Sequence, residues 1–386
     1  MIAATTIEPI GHTTPLQWLW VIVPLLVLVG VTSSLIVRGD AGGRRGVAAL
    51  WMRAATSLRR VSPLPAWATG GILVGLWALT VAVIGFFWDV AWHIDLGRDR
   101  ELFTVPHTLI LMGLMGIGVA GLASIGLATV EDAPGARRVW RLRLPMSAVA
   151  LGVLSGGAAV GFPLDDLWHR TYGIDVTMWS PTHLLMIGGA SLAPIALWLM
   201  YAEAGGPALS SSAQKPLRRT LAASTLLGLS TFQLEFDLGV PQWQALYQPV
   251  LIALATSIVL VAARAALGRG WALTVAAEFL VIRGALALLV GPGLGHDLPH
   301  FPLYVGMALV VEAAWFLESR LSPLQLAVVA GALTGTVGLA TEWGFSHLFG
   351  RLPWQPAMLS MIWVAAAIAI AGAVLGMAMG RVLSLR

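Results

Sequence analysis

No cysteine occurs anywhere in the 386 residues. That removes thiolate metal sites, disulfides and iron–sulfur clusters at once. Charge is scarce as well: Asp, Glu, Lys and Arg make up 11% of the chain, against 58% hydrophobic residues. So thin a polar supply cannot clothe a water-soluble domain of this size. No phosphate-cradling or dinucleotide glycine motif stands in a stretch that could fold in water. The basic residues behind a sequence pI near 10.1 are not gathered with stacking or base-reading groups, which excludes nucleic acid as a partner. Residues 1–15 lack a basic n-region, so no cleavable signal peptide is expected. No two histidines are expected to face each other at mid-membrane depth, which argues against haem.

What is present is long and apolar. Eleven stretches can each cross about 30 Å of hydrocarbon: 16–37, 67–89, 104–130, 145–165, 181–203, 217–236, 245–265, 271–291, 301–318, 323–343 and 356–382. The expected fold is all-α, a polytopic integral membrane protein with residues 1–386 forming one membrane domain and the lipid bilayer as its surroundings. Arginine alternates along the connections. Arg38, Arg44, Arg45, Arg53, Arg59 and Arg60 follow the first span, and Arg137, Arg138, Arg141 and Arg143 follow the third. Lys215, Arg218 and Arg219, then Arg264 and Arg269, then Arg320, continue the alternation, and Arg381 and Arg386 close it. Positive charge stays on the cytoplasmic side, so the N-terminus is expected outside and the C-terminus inside, in a prokaryotic plasma membrane.

After a solitary first span the chain reads as five outward-facing hairpins. The first two, 67–130 and 145–203, share one polar grammar, and 217–382 holds three degenerate copies. Asp89, His93, Gly97, Asp99 and His107 recur 76 residues later, without a gap, as Asp165, His169, Gly173, Asp175 and His183. Asp and His at i, i+4 share one helix face a turn apart. Pro106 and the Ser180-Pro181-Thr182 run mark helix starts just before the distal histidines. A hydrogen-bonded interfacial histidine would need no such distal partner. The duplication therefore points to a metal site made of Asp89, His93 and His107, and another made of Asp165, His169 and His183. Whether these are two mononuclear sites or one dinuclear centre is open at this point. Trp92 and Trp168 read as interfacial aromatics, and Gly97 and Gly173 as turn residues.

Weaker polar residues lie at the same outer level: Glu235 and Asp237, then His296, Asp297 and His300, then Glu342 and His347. They are secondary metal-ligand or proton-acceptor candidates. Glu278, Arg283 and Glu312, on spans 8 and 9, read as an ion pair that fixes helix packing, with a proton path as the functional alternative.

Trp92-His93, Arg98-Asp99, Phe103-Thr104 and His107 resemble the metal-binding segment of the C subunit of copper membrane monooxygenases, the particulate methane and ammonia oxidisers. Trp179-Ser180-Pro181-Thr182-His183 is similar to the end of that segment. The likeness covers about thirty residues per copy; the family carries the segment once, with a loop one residue shorter, in a smaller subunit. It implies copper at both triads, oxidative chemistry on a hydrophobic small molecule, and a redox or subunit partner. From the residues alone, imidazole and carboxylate donors suit copper, zinc or iron. A metal transporter or copper-delivery protein is the alternative, and an assembly scaffold a third reading.

Overall fold

The computed structural model describes residues 47–97, 103–173, 178–208, 214–241 and 243–384. The expected first span at 16–37, Arg38, Arg44, Arg45, Arg98, Asp99, Asp175 and Arg386 lie outside these. The chain is an all-α polytopic membrane protein. Among the described residues the one exception is a two-stranded ribbon, β1 (Arg137–Val139) paired antiparallel with β2 (Leu142–Leu144).

Helix α1 (Val47–Val61) is amphipathic and precedes the hairpins. Then come α2 (Ala66–Leu96) and α3 (Val105–Val130), followed by α4 (Met146–Tyr172) and α5 (Pro181–Glu203). Helix α6 (Lys215–Ser230) runs on through a 3-10 turn, Thr231–Gln233, into a last turn, Leu234–Asp237. The remaining helices are α7 (Ala245–Leu267), α8 (Trp271–Gly293), α9 (Val305–Leu317), α10 (Pro323–Leu348) and α11 (Pro356–Leu383). Eight of these are long and apolar enough to cross a membrane: α2 to α5, α7, α8, α10 and α11. Helix α9 is apolar but shorter, and α6 carries Lys215, Arg218 and Arg219 in its first turns.

Small residues let the helices of a hairpin touch. A Cβ on Gly85 would lie 2.8 Å from the Ile110 nitrogen and 2.9 Å from the Pro106 oxygen. A Cβ on Gly161 would lie 3.3 Å from the matching atoms, Met186 N and Thr182 O. Gly113 meets Ala82 in the same way that Gly189 meets Ala158. All of these pairs keep the spacing of the sequence repeat. In lipid, where apolar burial drives little association, such close backbone approach is what holds two helices together.

At the arginine-rich end, carboxylates from returning helices tie down the helix starts. Glu131 accepts from Ala66 and Trp67 N–H at 3.2 and 3.1 Å and pairs with Arg59. Glu203 accepts from Met146 and Ser147 N–H at 2.8 and 2.9 Å, and Glu312 from Gly270 and Ala272 N–H at 3.0 Å each. Each carboxylate satisfies helix N–H groups that have no partner within their own helix, at the positive end of the dipole.

This overturns the expected grouping on spans 8 and 9. Glu312 pairs with Arg264 at 2.9 Å, and Glu278 pairs with Arg219 and accepts from Thr220. Arg283 instead reaches Asp237 at 2.6 Å, fully buried, with its guanidinium over the rings of Phe87 and Phe301. Residues within one hairpin turned out to be partnered across hairpins.

Candidate metal centres

Two triads form, each from the end of one helix and the start of the next. In the first hairpin, Asp89 and His93 lie on the last turns of α2 and His107 on the first turn of α3. His107 Nε2 is 3.1 Å from Asp89 Oδ1, and His93 Nδ1 is 3.5 Å from Asp89 Oδ2. In the second, His183 Nε2 is 3.3 Å and His169 Nε2 3.8 Å from Asp165 Oδ2. Both aspartates are buried and all four histidines are partly buried.

The sequence builds this locally. Gly85 and Gly161, one turn before each aspartate, bring the partner helix close enough for its first-turn histidine to reach the carboxylate. Gly97 and Gly173 turn the chain at the ends of α2 and α4 with φ of 81° and 90°, in the region that favours glycine. Ser180 caps α5 by accepting from His183 N–H at 3.3 Å, which fixes that histidine's backbone. Thr104 holds the equivalent place on α3 but makes no side-chain cap.

Two of the four contacts, at 3.1 and 3.3 Å, have hydrogen-bond length, and the spacing of the donors is also one that a shared metal ion allows. A contact of 3.8 Å is too long for a hydrogen bond, and 3.5 Å is poor. Two ligands held tetrahedrally at about 2.1 Å from one ion stand roughly 3.4 Å apart. The donors of each triad all lie within 4.8 Å of one another. An Asp/His/His set leaves coordination positions open, and its donors suit a borderline transition metal rather than a hard, oxygen-seeking one.

The six donors fall into two groups and not one. Phe162, one turn before Asp165, lies edge-on to His107 at 6.3 Å between ring centres. An aromatic ring thus stands against the first triad on the side of the second hairpin. Each group of three donors could hold a metal ion.

The secondary candidates have other work. Glu235 accepts from Met178 N–H at 2.7 Å, and Glu342 from Tyr304 and Leu303 N–H at 2.7 and 3.2 Å. Asp237 pairs with Arg283, and Asp297 with Arg351. His300 Nδ1 meets the Phe349 carbonyl at 2.5 Å, and His347 Nδ1 the Trp343 carbonyl at 2.9 Å. His296 accepts from the Trp88 indole N–H at 3.1 Å, which leaves its Nδ1–H to donate to Asp95 at 3.1 Å. Among the described residues, no third cluster of metal-binding geometry forms. These groups join the hairpin connections to one another: 294–304 is bonded to the first, third and fifth hairpins.

Sequence reasoning did not single out Thr182 as a supporting residue. Its hydroxyl donates to Asp165 Oδ1 at 2.5 Å. Position 106, its counterpart, is proline, so this contact breaks the repeat and could not be found from it. Comparison with family models, with curated proteins and with solved structures gave no match.

Proposed function

We propose that this protein is a membrane copper protein with two outward-facing mononuclear sites that carry out oxidative chemistry on hydrophobic molecules, alone or with a redox or subunit partner. The observation that carries the reading is the duplicated triad itself: open, cysteine-free, and set at the ends of apolar helices. The resemblance to the C subunit of copper membrane monooxygenases points the same way. Copper supplies a one-electron couple, which zinc lacks. The chain's own contribution is to hold two imidazoles and one carboxylate in an array at the ends of apolar helices. Asp165 is further oriented by Thr182, as a metal-bound carboxylate commonly is.

Transport is the weaker reading on a specific ground. The charged residues between the triads and the arginine-rich end, Glu278, Arg283 and Glu312, are each closed in an ion pair, and none joins a triad. A transport path would need a chain of polar groups leading inward.

Protein purified without chelator should hold two copper equivalents, with two electron paramagnetic signals free of magnetic coupling. It should use dioxygen when given a reductant and an apolar substrate, and lose that activity on chelation. Restoration by zinc as well as by copper, or metal-dependent uptake into proteoliposomes without oxygen use, would overturn the proposal. Orientation is separately testable because the chain has no cysteine of its own. A membrane-impermeant thiol reagent should modify Ile174→Cys and spare Ser211→Cys.

A further inference from the structure

The ribbon between α3 and α4 has two unlike faces. Its register pairs Arg138 with Arg143 and Val139 with Leu142. Side chains alternate along a strand, so Arg138 and Arg143 share one face. Val139, Leu142 and Leu144 lie on the other, with Arg137 at its end. That apolar face is only partly covered: Val139 is exposed, and Leu142 and Leu144 are half-buried. At the tip, Trp140 opens a two-residue turn with φ of 54°. Gly, Asn or Asp ordinarily stands there, because a bulky side chain is strained in the left-handed region. Trp140 is nevertheless 83% exposed, so packing within the fold does not explain it.

The acids beside the ribbon are already engaged. Glu131 is held by Arg59 and two helix N–H groups, Asp132 by Arg143, and Glu203 by the start of α4. Helix α1 lies against the same end of α3, with Trp51 at Gly126. Arg137 and Arg138 on the ribbon, and Arg53 and Arg60 on α1, are exposed and make no ion pair among the described residues. This end therefore presents uncompensated positive charge.

The ribbon is also fastened at a fixed level. Arg143 N–H donates to Thr129 Oγ1 at 3.0 Å, and its guanidinium meets Asp132 at 2.6 Å, so the ribbon is rooted where α3 ends. It runs through Pro145 directly into α4. Three residues of strand extend about 10 Å, and the headgroup layer on each side of a bilayer is about 5–8 Å thick. A ribbon rooted at the ends of two spanning helices cannot carry its tip more than a few ångströms beyond that layer.

We infer that this ribbon is a docking site for anionic phospholipid headgroups, with Trp140 and Val139 seated among them and Arg137 and Arg138 bearing on their phosphates. Arg53 and Arg60 extend the positive surface along α1. Guanidinium groups make charge-assisted contacts with phosphate, and an indole suits a level that is apolar on one side and wet on the other. Retention of positive charge on one side of a membrane accounts for the arginines alone. An acidic protein would likewise use the arginines and leave the tryptophan and the apolar face idle. The inference stands apart from the copper reading, because binding requires no metal.

The test uses the full chain in nanodiscs. With no native cysteine, a polarity-sensitive fluorophore on Val139→Cys reports the ribbon alone. Adding phosphatidylglycerol to phosphatidylcholine discs should shift its emission to the blue, and spin-labelled lipid should quench it. Each arginine near an anionic surface contributes roughly fivefold. Replacing Arg137→Gln and Arg138→Gln together should therefore raise the phosphatidylglycerol fraction needed for half the shift at least fivefold. Helical circular dichroism serves as the folding control. Salt at about 0.5 M, which shortens the screening length to a few ångströms, should act in the same direction. Emission that ignores lipid charge, or an unchanged response in the double variant, overturns the headgroup assignment. A shift without quenching by lipid overturns the seating of Trp140 and Val139. The same shift produced in phosphatidylcholine discs by inorganic phosphate, or by a polyglutamate peptide, assigns the surface to a soluble anion or an acidic protein and overturns the proposal.

Discussion

The two metal hairpins share a backbone plan and differ in what supports it. The first holds Asp89 between two histidines, and its neighbour Pro106 has no hydroxyl to offer. The second adds the Thr182 hydroxyl to Asp165 and the Ser180 cap beneath His183. The first compensates from outside: Trp88 and Asp95 grip His296, and Phe87 lies under Arg283. The corresponding positions in the second copy are Leu164, Thr171 and Pro163, which can do none of this. The second copy thus has a local hydroxyl on its aspartate that the first lacks, while both connections are held to other hairpins, the first through His296 and the second through Glu235 on Met178.

The largest effect should come from removing a carboxylate. Asp89→Ala and Asp165→Ala should each abolish one metal equivalent, leaving the other site filled, and the double variant should hold none. Elemental analysis of the purified variants checks this; loss of both metals in either single variant would mean that the sites are not independent.

Next is the tertiary support of the first copy. Asp237→Ala strands the buried Arg283 charge and should cost about 3–5 kcal/mol of stability, the usual penalty for breaking a buried pair. Denaturation in detergent should show it. The first site, whose Phe87 covers Arg283, should release its metal at lower denaturant than the second.

Thr182→Val tests the local support. It should weaken metal at the second site by about tenfold, in the range seen when a ligand loses its supporting hydrogen bond, and leave the first untouched. A matched loss at both sites would sink the distinction between the copies. The smallest effect belongs to Trp88→Phe, which removes one hydrogen bond to His296 and should cost about 1 kcal/mol. Faster amide exchange in 294–304, with no change in 178–183, is the expected readout.

The sequence alone made the membrane class and the helical hairpins plain, because long apolar runs leave no other way to satisfy the backbone in lipid. It also made both triads legible. Asp and His are costly in such surroundings, so their repetition at one spacing stands out, and an i, i+4 pair plus a first-turn histidine follows from helix geometry alone. Tertiary structure decided the rest. The choice between two mononuclear sites and one dinuclear centre depends on how the two hairpins meet, and Phe162 of the second stands against His107 of the first. Arg283 chose Asp237 over Glu278 or Glu312 because burial favours the partner that packing brings within reach, whatever its distance along the chain. His296, His300 and Glu342 look like ligands in a sequence and act as joints in the fold, since a donor or acceptor at a helix end serves whichever group the neighbouring hairpin presents. Periodicity records what one helix does; it carries no record of which helices meet.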